Sequence, residues 1–93
     1  MVRWNHVAIA IQDHRLADLL TLLGFEPQGR EHVPEQKVWT SFFSLPAHDL
    51  HVELLEATQP DSVVAQFLQK RGPGVHHLAF EVEAGHLESL CIR

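Results

Sequence analysis

Apolar and polar positions alternate with a period of two over residues 3–11, and this pattern predicts a β-strand. One face of this strand carries Val7, Ile9 and Ile11, and the other carries Trp4, His6, Ala8 and Ala10. The first face is apolar and bulky, which suits a hydrophobic core. The second face places a histidine beside small residues, and therefore beside free space.

The next pattern has helical spacing. Leucines at 16, 19, 20 and 23 share one face of a helix, for which Asp13 is a suitable N-cap and Gly24 a suitable terminator. Three further strands are predicted over residues 25–33, 38–45 and 50–55, with turns at 34–37 and 46–49. The predicted order through residue 56 is therefore βαβββ.

A connector with its own short helix follows. This helix begins at Pro60–Ser62 and ends at the glycine- and proline-containing stretch 72–74. Residues 75–83 are predicted as another strand and residues 84–91 as the start of another helix. The expected fold class is α+β, with a βαβββ module over 1–58, a connector helix over 59–73, and a truncated second module, a strand and a helix start, over 74–93.

The strand after the connector repeats the first strand. The sequence NHVAI at 5–9 aligns with HHLAF at 76–80, so that His6 matches His77. In both copies the histidine shares a face with an alanine two residues later, and the opposite face is bulky. The repeat predicts that the two histidines occupy equivalent positions in the fold.

Glu53 is the third residue for which the sequence indicates a chemical role. It lies between apolar neighbours in the strand at 50–55, where a carboxylate needs a partner because an isolated buried charge is costly. Two imidazoles and a carboxylate on three strands suit a divalent metal such as Co, Zn, Ni or Mn. We therefore predict a metal site formed by His6, Glu53 and His77, which requires a curved sheet.

Each of these residues also has a simpler interpretation. A single core histidine is more often hydrogen-bonded to backbone, and a single Glu53 would more often pair with an arginine or face solvent. His76 is predicted to point away from His77 and to be structural. The remaining histidines are predicted to lie on the surface: His14, His32, His48, His51 and His86.

Composition limits the classes of function. The 93 residues suffice for one small domain, and 45% hydrophobic and 20% charged residues are typical of a globular protein. The formal net charge of −5 makes nucleic-acid binding a poor expectation. One cysteine, the absence of a signal-peptide pattern and the absence of a long apolar run favour a cytoplasmic protein without membrane contact.

Several segments resemble the vicinal oxygen chelate family, which includes glyoxalases and bleomycin-resistance proteins. The resemblance is carried by NHVAIAI at 5–11, LLGF at 22–25 and VELLE at 52–56. PEQ at 34–36, PDSVVAQFLQKRG at 60–72 and GVHHLAFEV at 74–82 are most similar to the methylmalonyl-CoA epimerase branch. The resemblance implies two βαβββ modules around a divalent metal, with His6, Glu53 and His77 as three ligands.

This sequence also departs from the family pattern at two positions. The fourth family ligand, a glutamate on the last strand, has no counterpart within the 93 residues, and a catalytic carboxylate of the third strand falls at Thr40. Glu35, Glu56 and Glu81 are possible substitutes, and period-2 alternation favours Glu81 among them. We therefore expect weak metal binding and poor epimerisation by this chain.

The implied function is a metal-dependent epimerase or isomerase that acts on an acyl-CoA thioester. The alternatives are a glyoxalase I-type lyase acting on a glutathione hemithioacetal, a non-catalytic module that binds a small molecule, and an inactive remnant. An incomplete second module would leave sheet edges open, so a homodimer or a swapped assembly is expected.

Overall fold

The computed structural model describes residues 2–82 and 87–91. The elements in chain order are β1 (Val2–Ala10), α1 (Arg15–Leu22), β2 (Glu26–Val33), β3 (Val38–Leu45), a 3₁₀ turn (Pro46–His48), β4 (Leu50–Ala57), α2 (Val63–Arg71), β5 (Gly74–Val82) and β6 (Leu87–Cys91). The strands form one sheet in the order β2-β3-β4-β1-β5-β6, in which β1 and β4 are parallel and the other pairs antiparallel.

The predicted α+β class and the βαβββ order are confirmed, and β3 has the predicted bounds. The first helix begins two residues after Asp13, and the cap position is His14, whose side chain makes no capping bond. Asp13 instead accepts hydrogen bonds from the backbone and guanidinium of Arg15. Gly24 follows the helix with φ of +98°, a left-handed conformation that glycine adopts without strain.

The helix predicted over residues 84–91 is wrong in the part that the structure describes. Leu87–Cys91 form β6, which pairs with β5 from Glu81 to His77, while residues 83–86 lie outside the described ranges. A helix of so few residues is marginal by itself, because nucleation is costly. Strand pairing instead satisfies the backbone groups along the edge of β5. The domain boundaries 1–58, 59–73 and 74–93 stay a prediction.

The sheet has two packed faces. Helix α1 covers one of them, here called the α1 face, where the buried residues are Ile11, Leu20, Phe43, Val52 and Leu54. Helix α2 packs over part of the other, the α2 face, where the buried residues are Ala8, Ala10, Val38, Leu55 and Val64. The two clusters confirm that β1 separates a bulky face from a face of small residues.

The predicted alternation fails at the start of β1. The register shifts between Trp4 and His6, which places Asn5 as an extra residue opposite β5. Trp4 therefore pairs with Phe80, with the two rings edge to face at 5.5 Å, while His6 pairs with Ala79. Phe80 and Ala79 point to opposite faces, so the bulge puts Trp4 on the α1 face and leaves His6 on the α2 face.

Among the described residues, no helix is long and apolar enough to cross a membrane. The expected cytoplasmic location stays a prediction.

Candidate active site

The part of the α2 face beside α2 brings the three predicted site residues together. In the strand register Ala8 of β1 lies opposite Glu53 of β4 on one side and His77 of β5 on the other. His6 follows on the same face two residues along β1. Ala8 is fully buried and has no bulk beyond its methyl group, so the longer side chains of its neighbours can meet above it.

His6 lies at the centre of the group. Its Nε2 atom is 3.4 Å from Nε2 of His77, and its Nδ1 atom is 3.2 Å from Oε2 of Glu53. Nδ1 also lies 2.6 Å from the side-chain oxygen of Asn5, the bulged residue of β1. The three predicted residues His6, Glu53 and His77 therefore line one cavity.

The proton positions of His6 follow from these partners. The amide oxygen of Asn5 and an ionised Glu53 can only accept, so Nδ1 of His6 donates and its Nε2 atom presents a lone pair to His77. His77 can donate from Nε2 to this lone pair. If the proton of His77 is on Nδ1 instead, the unprotonated Nε2 atoms of His6 and His77 face each other. A cation between them would stabilise this arrangement.

His76 does not point away from His77, and that prediction is wrong. The register of β5 shifts between the partners of Ala8 and Ile9, so that His76 is an extra residue between His77 and Val75. This bulge turns the His76 ring into the same cavity, with Nδ1 at 2.9 Å from Nδ1 of His77. The ring also packs edge to face on Phe67 of α2, at 5.0 Å. Bulges next to functional sites commonly re-aim a side chain in this way.

Burial shifts the ionisation of the group. Desolvation lowers the pKa of His6, with a smaller contribution from His51, and lowers the pKa of His77, with smaller contributions from His76 and His6. Desolvation raises the pKa of Glu53, and the negative charge of Glu31 raises it further. The imidazoles therefore favour the neutral form that binds metals.

These side chains border a cavity of about 580 Å³. Polar lining residues besides the predicted site are Glu31, Gln36, Thr40 and His76, and an apolar wall comes from residues such as Val63, Val64 and Leu55. The size and the mixed lining are typical of small-molecule sites.

Glu31 is the functional candidate that sequence reasoning missed. Strand β2 has the sequence EPQGREHV, in which no apolar alternation marks a buried face. Only its pairing with β3 places Glu31 opposite Thr40, on the α2 face. The sequence held one signal for Glu31. Even a polar strand such as β2 points alternate side chains to opposite faces, so some of its polar residues must face the cavity.

The carboxylates that were predicted as substitutes lie elsewhere. Glu81, the favoured one, forms an ion pair with Arg3 at 3.8 Å, and its side chain is 48% exposed. Glu56 pairs with Arg30 at 3.6 Å, and Glu35 is exposed in the β2–β3 turn. Within residues 2–82, none of the three borders the cavity.

The donor set fits a metal in part. Two nitrogens bound to one tetrahedral ion at about 2.0–2.1 Å lie roughly 3.3–3.4 Å apart, which matches the His6–His77 spacing of 3.4 Å. Glu53 contacts the other nitrogen of His6, so its carboxylate must turn to join the pair. Accordingly, within residues 2–82 and 87–91, no three His, Cys, Asp or Glu side chains are already arranged around one metal position.

Comparison with known proteins decides the family. The model of the Glyoxalase/Bleomycin resistance protein/Dioxygenase superfamily matches residues 5–90. This chain belongs to that superfamily. Its methylmalonyl-CoA epimerase resemblance is confirmed by an ethylmalonyl-CoA/methylmalonyl-CoA epimerase of Cereibacter sphaeroides, which is 37% identical over 84 residues. That match covers 87% of this superfamily member and 61% of the relative.

Two further similarities support the placement. An uncharacterised protein of Bacillus subtilis is 39% identical over 82 residues, which cover 86% of this chain and 57% of that protein. A Streptomyces coelicolor methylmalonyl-CoA epimerase variant, solved in complex with 2-nitronate-propionyl-CoA, superimposes with a TM-score of 0.75 at 32% identity. The superposition covers 86% of this superfamily member and 61% of that structure. The chain thus spans about three fifths of the length of these proteins.

Proposed function

We propose that this chain carries the metal-binding half of an epimerase that moves the α-proton of an acyl-CoA thioester such as methylmalonyl-CoA. The observation that carries the proposal is the group of His6, Glu53 and His77 at the wall of one cavity. The epimerase names of the Cereibacter and Streptomyces proteins, and the acyl-CoA analogue bound to the latter, support the substrate class.

In this proposal His6, Glu53 and His77 hold a divalent cation, of which Co, Zn, Ni and Mn are candidates. When bound, such an ion polarises a carbonyl oxygen and stabilises the negative charge that develops as the α-proton leaves. The residues of this chain supply the rest: Asn5 and His76 orient the two imidazoles, and α2 contributes an apolar part of the cavity wall.

The test is uptake of deuterium from heavy water at the α-carbon of methylmalonyl-CoA, with added Co²⁺. Slow exchange by the purified chain, in line with the weak metal binding expected from the sequence, that is lost in Glu53→Ala is the expected result. A glutathione hemithioacetal is tested as a second substrate. Turnover of that compound and not of methylmalonyl-CoA would contradict the epimerase proposal and indicate a glyoxalase-type lyase. Tight binding of 2-nitronate-propionyl-CoA without any exchange would indicate a non-catalytic binding module instead.

We also propose that the chain forms a homodimer. The sheet is open at β2, where every residue except Val33 is exposed, and unpaired edge strands favour pairing with another chain. Light scattering at micromolar concentration is expected to give twice the mass of the chain. A stable monomer under these conditions contradicts the proposal.

A further inference from the structure

We infer that Glu31 is the general base of this site. The inference rests on the proposed function. It is suggested by the cavity lining, in which the carboxylates of the described residues are Glu53, a proposed metal ligand, and Glu31, which lies directly opposite Thr40 in the β2–β3 register.

Directly paired residues of an antiparallel sheet point to the same face, and their Cα atoms are about 4.5–5.5 Å apart. A glutamate side chain extends far enough from Cα to bridge that spacing. The carboxylate of Glu31 can therefore reach the part of the cavity above Thr40. Both Glu31 and Thr40 line this cavity.

The neighbours of Glu31 hold it on this face. The guanidinium of Arg30 lies over the Trp39 ring at 4.4 Å from its centroid, and the His32 ring stacks on the same tryptophan at 4.9 Å. Arg30 also pairs with Glu56. Because Trp39 anchors both flanking residues on the α1 face, the alternation of β2 directs Glu31 to the α2 face.

Glu31 is also available for proton transfer. Glu31 is exposed and lines the cavity, and none of the ion pairs between residues 2–82 involves it, in contrast to Glu56 and Glu81. In the proposed step the carboxylate of Glu31 accepts the α-proton, the C–H bond breaks, and its electron pair moves toward the thioester carbonyl to give an enolate. The protonated carboxyl of Glu31 exchanges its proton with heavy water and returns a deuteron to the enolate, which regenerates the thioester. Uptake therefore needs no acid–base group other than Glu31.

The experiment compares deuterium uptake at the α-carbon of methylmalonyl-CoA, with Co²⁺ present, for the unmodified chain and for Glu31→Gln. A positioned base contributes about 10²–10⁴-fold, so uptake by Glu31→Gln is expected to fall by at least about 100-fold. Glu35→Gln, which changes an exposed carboxylate outside the cavity, is the matched control and should leave uptake unchanged. Binding of 2-nitronate-propionyl-CoA and of Co²⁺, measured by calorimetry, should persist in Glu31→Gln, because neither requires a base.

The double variant Glu31→Gln, Thr40→Glu moves the carboxylate to the paired position and should recover uptake to within about tenfold of the unmodified chain. Uptake by Glu31→Gln equal to that of the unmodified chain overturns the inference and leaves the proposed function intact. Binding of the analogue by the unmodified chain without uptake overturns the proposed function, and the role of Glu31 with it. Loss of analogue binding in Glu31→Gln would show that Glu31 holds the ligand and is not its base.

Discussion

The Nε2 atoms of His6 and His77 face each other at 3.4 Å across the neighbouring strands β1 and β5. This spacing is long for a hydrogen bond and matches that of two ligands on one tetrahedral ion. The other nitrogen of each ring is engaged, by Asn5 and Glu53 for His6 and by His76 for His77. The surroundings therefore hold both rings in this orientation.

The first prediction concerns metal binding. His77→Ala should weaken Co²⁺ binding by more than about 100-fold, because it removes one of two facing nitrogens. His48→Ala is the control, because His48 is exposed in the 3₁₀ turn and should not alter binding. The measurement is the visible absorption of Co²⁺ during titration, whose intensity also reports a tetrahedral site. Equal affinities of the two variants would exclude His77 as a ligand.

The second prediction tests the bulged histidine. His76→Phe keeps a ring against Phe67 but removes the partner of Nδ1 of His77, so Co²⁺ affinity should fall by about 10–100-fold. His76→Gln, which can still form a hydrogen bond, should recover part of the affinity. Nitrogen NMR of the metal-free protein should show a changed tautomer ratio of His77 in His76→Phe, which a purely structural loss of packing would not produce.

The third prediction concerns pH. Burial lowers the pKa of His6, His76 and His77 below the ordinary value of 6.5, so the unfolded chain binds more protons than the folded one as the pH falls through that value. The folded state should therefore lose stability as the pH falls through about 6.5, the ordinary pKa of histidine, toward the lowered pKa values of the folded state. Melting temperatures across this range test the prediction, and the decrease should be smaller in His77→Gln. The raised pKa of Glu53 acts in the opposite direction, because ionisation of its carboxyl as the pH rises costs stability.

The fourth prediction concerns the core beneath the site. Leu54 is 1% exposed on the α1 face of β4, and Leu54→Ala should lower the free energy of unfolding by about 2–5 kcal/mol. Leu22→Ala changes the same residue type at a position that is 84% exposed, and it should change stability by less than about 0.5 kcal/mol. Urea denaturation of both variants gives the comparison. A small effect of Leu54→Ala would mean that the α1-face cluster does not stabilise the sheet as described.

The sequence by itself determined the order of the elements through β5 and the placement of His6, Glu53 and His77 on three strands. Local periodicity carries this information, because side chains that share a face recur every two residues in a strand and every three to four in a helix. The repeat of NHVAI and HHLAF marked two strands that each carry a histidine, and the structure pairs these strands as β1 and β5.

The tertiary structure alone decided the finer arrangement. The bulges at Asn5 and His76 reverse the local alternation, and a bulge is a property of the pairing between two strands rather than of either sequence. For the same reason Glu31 gained its place in the cavity only through its register with Thr40, and Leu87–Cys91 became a strand through pairing with β5. Residues far apart in the chain set these registers, and a local pattern of apolar and polar positions contains no record of them.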